Sequence, residues 1–304
     1  MKILYSADLH LLGKGNPISR LDNYQETQIR KLQFITDIIT THKAISIIGG
    51  DIVEKALGVS PSGLLATILF SLQYLPKSFC IAGNHDLTLH SLDYLMESAI
   101  AVGIQENKLD LLDYRTPMEF KLENVVLFGY NYGQRIQHVN EKYKDTINIA
   151  IYHGYVDEHH NNLIDGCFAD EILEEFHNDY KWILTGDNHS TFIKEYNGST
   201  LINPGSILRR TGDQINHKPC VFLIDTENNI YEQIFIPIKD NVLSREHLDE
   251  QKEKDNRFET FIEVANSDYE IGFSFEENMK NYLLSNEEIQ KVKDYIYESM
   301  ETIK

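Results

Sequence analysis

Cysteine is scarce in this sequence of 304 residues, which contains only Cys80, Cys167 and Cys220. The odd number and wide spacing of these residues exclude a disulfide framework and a zinc site built on cysteine pairs. A reducing compartment is therefore the expected location. We predict a cytoplasmic protein, which would act in the host cytoplasm if the chain is encoded by a virus.

Long apolar runs are also missing. No run approaches the roughly 18 residues that a membrane-spanning helix needs. The first apolar stretch ends at Asp8, which makes it too short for the hydrophobic region of a signal peptide. Apolar residues make up 42% and charged residues 25% of the chain, as in an ordinary soluble globular protein.

Basic residues are too few to balance the acids: 28 Lys and Arg stand against 47 Asp and Glu, for a formal net charge of −19. This balance argues against a broad basic surface for nucleic acid and against docking on an anionic membrane. The excess is concentrated in residues 241–304, which contain 16 acids and 8 bases. We therefore predict a main domain at 1–238, named the catalytic domain below, and a small acidic unit at 239–304.

Strands and helices alternate in the first part of the chain. Apolar periodicity predicts strands at 2–7, 44–48 and 78–82, with helices at 22–41 and 62–75 between them. Such a βαβαβ pattern is typical of a parallel sheet flanked by helices.

The later strands lie closer together along the chain. They are predicted at 124–129, 147–152, 182–185, 191–196, 199–203, 219–224 and 230–236. The short turns between several of them favour antiparallel pairing, within two sheets packed face to face and covered by helices. After residue 239 we predict a helix at 243–254, a strand at 258–264 and two amphipathic helices. These helices either pack on the catalytic domain or dock on a partner.

Side chains that bind metals follow five of these strands. The segments are Asp8-Leu9-His10, Gly49-Gly50-Asp51, Gly83-Asn84-His85-Asp86, His153 and Gly186-Asp187-Asn188-His189. Sites in α/β sheets gather beyond the carboxyl ends of strands, and Asp, His and Asn bind divalent ions such as manganese, iron or zinc. Seven ligands fit two ions about 3.5–4 Å apart that share a bridging carboxylate. Asp51 is the natural bridge because it follows the central strand.

Each of these motifs is weak alone, but their order resembles the calcineurin-like metallophosphoesterase superfamily over residues 1–236. The resemblance implies an α/β (α+β) protein with a four-layer αββα double β-sandwich, followed here by a small C-terminal α/β cap-like domain. It assigns a first metal to Asp8, His10, Asp51 and His189, and a second to Asp51, Asn84, His153 and Asp187. It also implies that His85 is the catalytic histidine and that Asp86 orients it.

Asp187 stands where the superfamily usually has histidine. The extra carboxylate makes the centre less positive, which favours hard ions. We therefore predict two manganese ions, favoured over zinc, with magnesium, iron or zinc as alternatives, and weaker occupancy of the second site.

The branch of the superfamily is indicated by two further segments. Residues 50–55 (GDIVEK) lack the Asp-Arg-Gly of protein phosphatases, whereas 203–210 (NPGSILRR) resembles the P-G-S turn of SbcD-type DNA repair nucleases and viral recombination exonucleases. This similarity implies a DNA nuclease acting in repair, recombination or replication as the partner of an SMC-like ATPase, with a homodimer as a further expectation.

Two other functions stay open from the sequence: a phosphodiesterase or phosphatase for small molecules such as cyclic nucleotides, and a degenerate fold that only binds. Weaker signals are Arg209 and Arg210, as contacts to DNA phosphates, and Glu54, which could shape the site. His159 and His160 are expected to be exposed histidines in a polar loop.

Overall fold

The computed structural model describes residues 1–13, 15–56, 72–159 and 167–245. The chain divides into two units, 1–247 and 248–304, and every described residue belongs to the first. Residues 62–71 of the predicted helix at 62–75, His160 and the predicted elements after residue 245 lie outside the described residues. The domain boundary at 238 therefore stays a prediction.

The described part of the chain is an α/β structure. Its strands are β1 (Lys2–Ser6), β2 (Ile45–Ile48), β3 (Ser78–Cys80), β4 (Leu109–Leu111), β5 (Met118–Phe120), β6 (Val125–Tyr130), β7 (Ile147–His153), β8 (Val156–Asp157), β9 (Cys167–Phe168), β10 (Trp182–Gly186), β11 (Phe192–Tyr196), β12 (Ser199–Asn203), β13 (Cys220–Asp225) and β14 (Ile230–Phe235). Its α-helices are α1 (Tyr24–His42), α2 (Ala99–Gln105) and α3 (Ala169–Phe176), and 3₁₀ turns lie at Thr88–His90, Leu92–Glu97, Glu141–Tyr143 and Gly212–Asn216.

Two mixed six-stranded sheets form the centre of this unit. The first has the order β14-β13-β1-β2-β3-β4, and its strands β1 to β4 are parallel. The second has the order β11-β12-β10-β7-β6-β5, and its four inner strands are parallel. Short β8 and β9 pair separately.

The prediction of antiparallel pairing is confirmed for the hairpins β11–β12 and β13–β14. The strands predicted at 124–129, 147–152 and 182–185, which longer segments separate, pair in parallel as β6, β7 and β10. Parallel neighbours need a crossover that returns the chain to the same edge of the sheet. Helix α3 lies in the crossover between β7 and β10. This helix was not predicted from the sequence.

Alternating side chains of the strands bury both faces of each sheet. In β1, Ile3 and Tyr5 face the second sheet, where they pack among residues such as Ile149, whereas Leu4 packs on the side of α1. Helix α3 covers the opposite face of the second sheet with Ile172, Leu173 and Phe176. The layers are therefore α-β-β-α, which confirms the predicted four-layer sandwich. Among the described residues, no helix is long and apolar enough to span a membrane.

A buried hydrogen bond connects β1 of the first sheet to β10 of the second sheet. The Tyr5 hydroxyl on β1 donates to the Thr185 carbonyl on β10 over 2.8 Å, and the bond is buried. Tyr5 itself is fully buried. A buried carbonyl that loses its donor is costly, because water cannot replace the donor.

We expect Tyr5→Phe to lower the free energy of unfolding by about 1–3 kcal/mol, since it leaves the Thr185 carbonyl without this donor. Chemical denaturation measures the change. The matched control is Tyr231→Phe, whose hydroxyl makes an exposed 3.3 Å bond to Glu195 and whose loss should change stability by less than about 0.5 kcal/mol. Equal stability of the two variants would show that the bond between the sheets contributes nothing.

Candidate metal centre

The carboxyl ends of five strands meet at one crevice. Parallel pairing of β1 with β2 and β3 directs the first three ends to one edge, and parallel pairing of β7 with β10 does the same in the second sheet. The structure thereby brings together all seven side chains predicted to be metal ligands: Asp8, His10, Asp51, Asn84, His153, Asp187 and His189.

The backbone at this crevice is strained. Asp8, His10, Asp51 and Asp187 have positive φ angles of 51°, 43°, 48° and 85°. Side chains other than glycine rarely adopt this region, and each case costs on the order of 1–3 kcal/mol. Four such residues within one cluster of candidate ligands indicate that the fold turns these side chains inward at the expense of stability.

Two glycines make the close approach of the ligands sterically feasible. A Cβ atom at Gly83 would lie 2.1 Å from Oδ1 of Asp51, and one at Gly50 would lie 2.2 Å from Nδ1 of His153. Gly50 also has a φ of +92°. These positions thus require glycine because the side chains of the site occupy the space a Cβ would need.

The first group of donor atoms surrounds His10. Its Nε2 lies 3.0 Å from Nε2 of His189 and 3.6 Å from Oδ2 of Asp51. Ligand atoms of Asp8, His10 and His189 all lie within 4.8 Å of one another. This is the set that the sequence assigns to the first metal.

The second group surrounds His153. Its Nε2 lies 3.2 Å from Oδ1 of Asn84, 3.4 Å from Oδ1 of Asp51 and 4.0 Å from Oδ1 of Asp187. The Nδ1 atom donates to the Gly49 carbonyl over 2.7 Å. This bond fixes the ring so that Nε2 faces three oxygen atoms.

Asp51 connects the two groups. Its Oδ2 faces His10, while its Oδ1 faces His153 and also accepts the backbone N–H of His85 over 2.9 Å. The carboxylate is 1% exposed. This is the geometry that a carboxylate bridging two cations requires.

The buried carboxylates of the crevice favour positive charge between them. Burial raises the pKa of Asp8 well above its usual value, and the nearby Asp51 raises it further. Burial lowers the pKa of His153, but the carboxylates of Asp51, Asp8 and Asp187 outweigh this effect and leave the pKa raised. The negative charges of these buried carboxylates thus favour a positive charge close to Nε2 of His153. The donor set fits divalent metal ions, and the His and Asp clusters are consistent with a binuclear site.

His10 behaves differently, since burial lowers its pKa well below the usual value. A neutral imidazole is the form that ligates metals. Its other nitrogen, Nδ1, lies 3.1 Å from Oε2 of Glu54. Neither Nδ1 of His10 nor Oε2 of Glu54 has a hydrogen-bond partner among the described residues, and the two atoms do not bond to each other. Oε1 of the same Glu54 is paired with the guanidinium of Arg210.

Glu54 thus lies between a candidate ligand and an arginine. A carboxylate near the second nitrogen of a metal-binding histidine favours an N–H at that nitrogen and makes the ring a better ligand; here Glu54 lies 3.1 Å from Nδ1 of His10 without a hydrogen bond, so its effect on His10 is electrostatic. The sequence indicated only that Glu54 could shape the site. Its pairing with Arg210 joins segments 156 residues apart, and no local pattern signals such a pair.

His85 lies at the edge of both groups. Its ring is 4.9 Å from the ring of His10, and its Nδ1 donates to the backbone carbonyl of Glu54 over 2.8 Å. This bond directs Nε2 away from the carbonyl and leaves it available for proton transfer. The position fits the predicted catalytic role, which stays a prediction.

The structure places Asp86 differently from our expectation that it orients His85. Its oxygens accept the backbone N–H groups of Val53 and Gly83, both over 2.9 Å. Burial and the neighbouring Asp51 raise the pKa of Asp86 to about 7. Asp86 therefore holds together the loops that carry Asp51 and Asn84, and the carbonyl of Glu54 orients His85 instead.

Other predicted residues also have defined positions. Arg209 is buried and donates to the carbonyls of Ile215 and Lys239, and its contact to DNA phosphates stays a prediction. His159 is exposed, as expected. His90, to which the sequence assigned no role, donates through Nδ1 to the Asn84 carbonyl over 2.9 Å.

No protein-family model matches the sequence. A protein of Acanthamoeba polyphaga mimivirus, itself described as uncharacterised, is 24% identical over 231 residues, which cover 71% of this chain. The chain spans only about 16% of that relative's length.

Solved structures correspond more widely. A candidate 5′-nucleotidase from Staphylococcus aureus, in complex with α-ketoglutarate, is 16% identical with a TM-score of 0.51, over 83% of this chain and 58% of that one. An archaeal phosphodiesterase is 15% identical with a TM-score of 0.43, over 77% of this chain and 99% of that one.

Together with the two sheets and the His and Asp clusters, the first of these correspondences defines the fold. The described unit has the calcineurin-like metallophosphoesterase fold. The narrower prediction of an SbcD-type nuclease is not supported by these similarities and stays a prediction.

We expect Glu54→Gln to weaken manganese binding by about tenfold, because loss of the carboxylate beside a ligating histidine typically lowers metal affinity by 10–100-fold. Calorimetric titration of the purified chain with Mn²⁺ measures this effect. Glu141→Gln, which changes an exposed glutamate paired with Lys144, is the matched control and should bind as the wild type does. Unchanged affinity in Glu54→Gln would show that Glu54 does not support His10.

Proposed function

We propose that the chain hydrolyses phosphodiester bonds with two divalent metal ions and that its substrate is DNA. The observation that carries the proposal is the position of Asp51, whose two oxygens face different groups of donor atoms. Asp8, His10 and His189 complete one set, and Asn84, His153 and Asp187 complete the other.

Two ions held by these residues would neutralise phosphate oxygens and activate water for in-line attack on phosphorus. Manganese is the proposed metal because Asp187 adds a carboxylate to the second set, with magnesium, iron or zinc as alternatives. The chain's own part is to hold both donor sets rigidly. The hydrogen bond from His153 to Gly49 and the position of Glu54 beside His10 serve this purpose.

His85 is the proposed general acid. Its Nδ1 is held by the carbonyl of Glu54, so a protonated ring presents an N–H at Nε2 to the leaving oxygen. The ring lies beside His10 without belonging to either proposed donor set. Ligand atoms of His85, His10 and Asp51 also lie within 4.8 Å of one another, so metal binding by His85 is the alternative that the variant below tests.

The choice of DNA is supported by the resemblance of residues 203–210 to the P-G-S turn of SbcD-type nucleases and by the missing Asp-Arg-Gly. In the structure, this turn adjoins the site: the N–H of Ser206 donates to the His189 carbonyl over 3.2 Å. We propose that the protein acts in DNA repair, recombination or replication, as the nuclease subunit of a complex with an SMC-like ATPase, with a homodimer as a further candidate assembly.

We expect the purified chain to degrade linear double-stranded DNA in the presence of manganese, and faster when a candidate SMC-like ATPase is added. Asp51→Asn should lower the rate by at least about 10²-fold, because one of the bridging oxygens becomes an amide nitrogen. A gel assay with labelled DNA measures this, with bis-p-nitrophenyl phosphate as the small ester. If only the small ester is cleaved, the nuclease proposal fails and a phosphodiesterase for small molecules takes its place. Cleavage of neither would favour a fold that only binds.

His85→Ala should reduce the turnover number by about 10²–10⁴-fold, the range for loss of a general acid, while the protein still binds manganese. Steady-state kinetics with labelled DNA, whose sugar oxygen needs a proton to leave, combined with metal analysis of the same preparation, tests both parts. His159→Ala, at an exposed histidine, is the control and should retain full turnover. A parallel loss of metal in His85→Ala would make His85 a ligand rather than an acid.

A further inference from the structure

A cavity with basic walls lies beside helix α1 and shares no lining residue with the candidate metal centre. Its volume is about 190 Å³, several times the roughly 30 Å³ that one water molecule occupies in the liquid. We call it the basic pocket and define it by the residues Arg20, Asp22, Arg30, Lys31, Arg209 and Lys239. Apolar side chains, including Phe34 and Ile236, complete its walls.

Five of the six defining residues are basic, and only Asp22 is acidic. The Asp22 carboxylate is already paired with Arg20, with a shortest distance of 2.7 Å. Arg20 also donates to the Arg209 carbonyl over 2.8 Å. The one acid in the wall is thus engaged with a single cation.

The other cations bond to neutral groups. Lys31 donates to the Ile207 carbonyl, and Arg209 donates to the carbonyls of Ile215 and Lys239. Arg30 donates to the Glu26 carbonyl and the Thr27 hydroxyl. Carbonyls and hydroxyls satisfy donors, but they do not neutralise charge. An ammonium has three donors and a guanidinium five, so Lys31, Arg30 and Arg209 each retain donors beyond these bonds.

This positive charge is held where solvation is poor. Arg20 and Arg209 are each 6% exposed and Lys31 is 5% exposed. Burial, together with the nearby Arg209, Arg20 and Arg30, lowers the pKa of Lys31 to about 7. Burial and Arg20 likewise lower the pKa of Arg209, against a smaller opposing effect of Asp240 and Asp22. Buried charge without a counterion is costly, and a bound anion would remove that cost.

We propose that the basic pocket binds a phosphate group. Guanidinium groups bind phosphate oxygens in pairs, and an ammonium adds a compact charge, so this wall matches a small tetrahedral oxyanion. The exposed Arg30 lies at the entrance, while Lys31 and Arg209 form the buried part. The group could belong to the backbone of a nucleic acid or to a free phosphate, since the chemistry of recognition is shared.

The test uses the full chain freed of metal by a chelator, so that phosphate does not report on the metal centre. Inorganic phosphate should raise the melting temperature of the wild type and give a calorimetric binding signal. Arg30→Gln should weaken that binding by at least about fivefold, because it removes a charge-assisted hydrogen bond. Arg30 is exposed, so circular dichroism should show an unchanged fold.

Arg115→Gln is the matched control, because Arg115 is an exposed arginine paired with Asp113 outside the basic pocket. It should bind phosphate as the wild type does. Absence of phosphate binding by the wild type, or equal binding by all three proteins, would overturn the proposal.

A second titration distinguishes the sources, with a single-stranded oligothymidylate without a terminal phosphate as the probe. If Arg30→Gln weakens binding of the oligonucleotide as well, the pocket takes a backbone phosphate. If only inorganic phosphate is affected, the pocket takes a free phosphate. Both results support the site. Because no metal is present, neither depends on whether the proposed nuclease activity is found.

Discussion

Repulsion among buried carboxylates is the constraint on which the centre of this structure depends. Asp8 and Asp51 are almost fully buried, and Asp187 lies close to both. Asp8 accepts the backbone N–H of Asp187 through both of its oxygens, so the two segments cannot separate without losing these bonds. Such an arrangement is tolerable only with cations among the oxygens. The raised pKa values of Asp8 and His153 express this demand when protons are the available cations.

The backbone conformation follows from the same constraint. Positive φ angles at Asp8, His10, Asp51 and Asp187 direct the ligands into one crevice, and glycines at 50 and 83 leave room for them. The strain must be offset elsewhere in the fold. The apolar layer between the two sheets, in which Tyr5, Ile149 and Trp182 are almost fully buried, is the evident source of that stability. The sandwich therefore supports the centre energetically as well as geometrically.

The sequence predicted the strand ends well because each ends in a short motif whose chemistry is visible locally. The hairpins β11–β12 and β13–β14 were predictable because the turns between their strands are short. The parallel pairing of β6, β7 and β10 could not be predicted in this way, because crossovers such as the one that contains α3 determine it. The roles of Asp86 and Glu54 were also hidden. Asp86 bonds to backbone groups and Glu54 pairs with Arg210 across 156 residues, and neither contact leaves a spacing to detect.

The net charge of −19 argues against nucleic acid as a partner, but the structure shows that charge is distributed unevenly. Some of the acids, among them Asp8, Asp51 and Asp187, lie in the crevice, where metal ions would offset their charge. The basic pocket has the opposite balance, since five basic residues there accompany one carboxylate. A protein of this composition can bind a polyanion only at such points, since its broad surface repels the chain between them. The two proposals together therefore place phosphate recognition at two small sites rather than on an extended basic face.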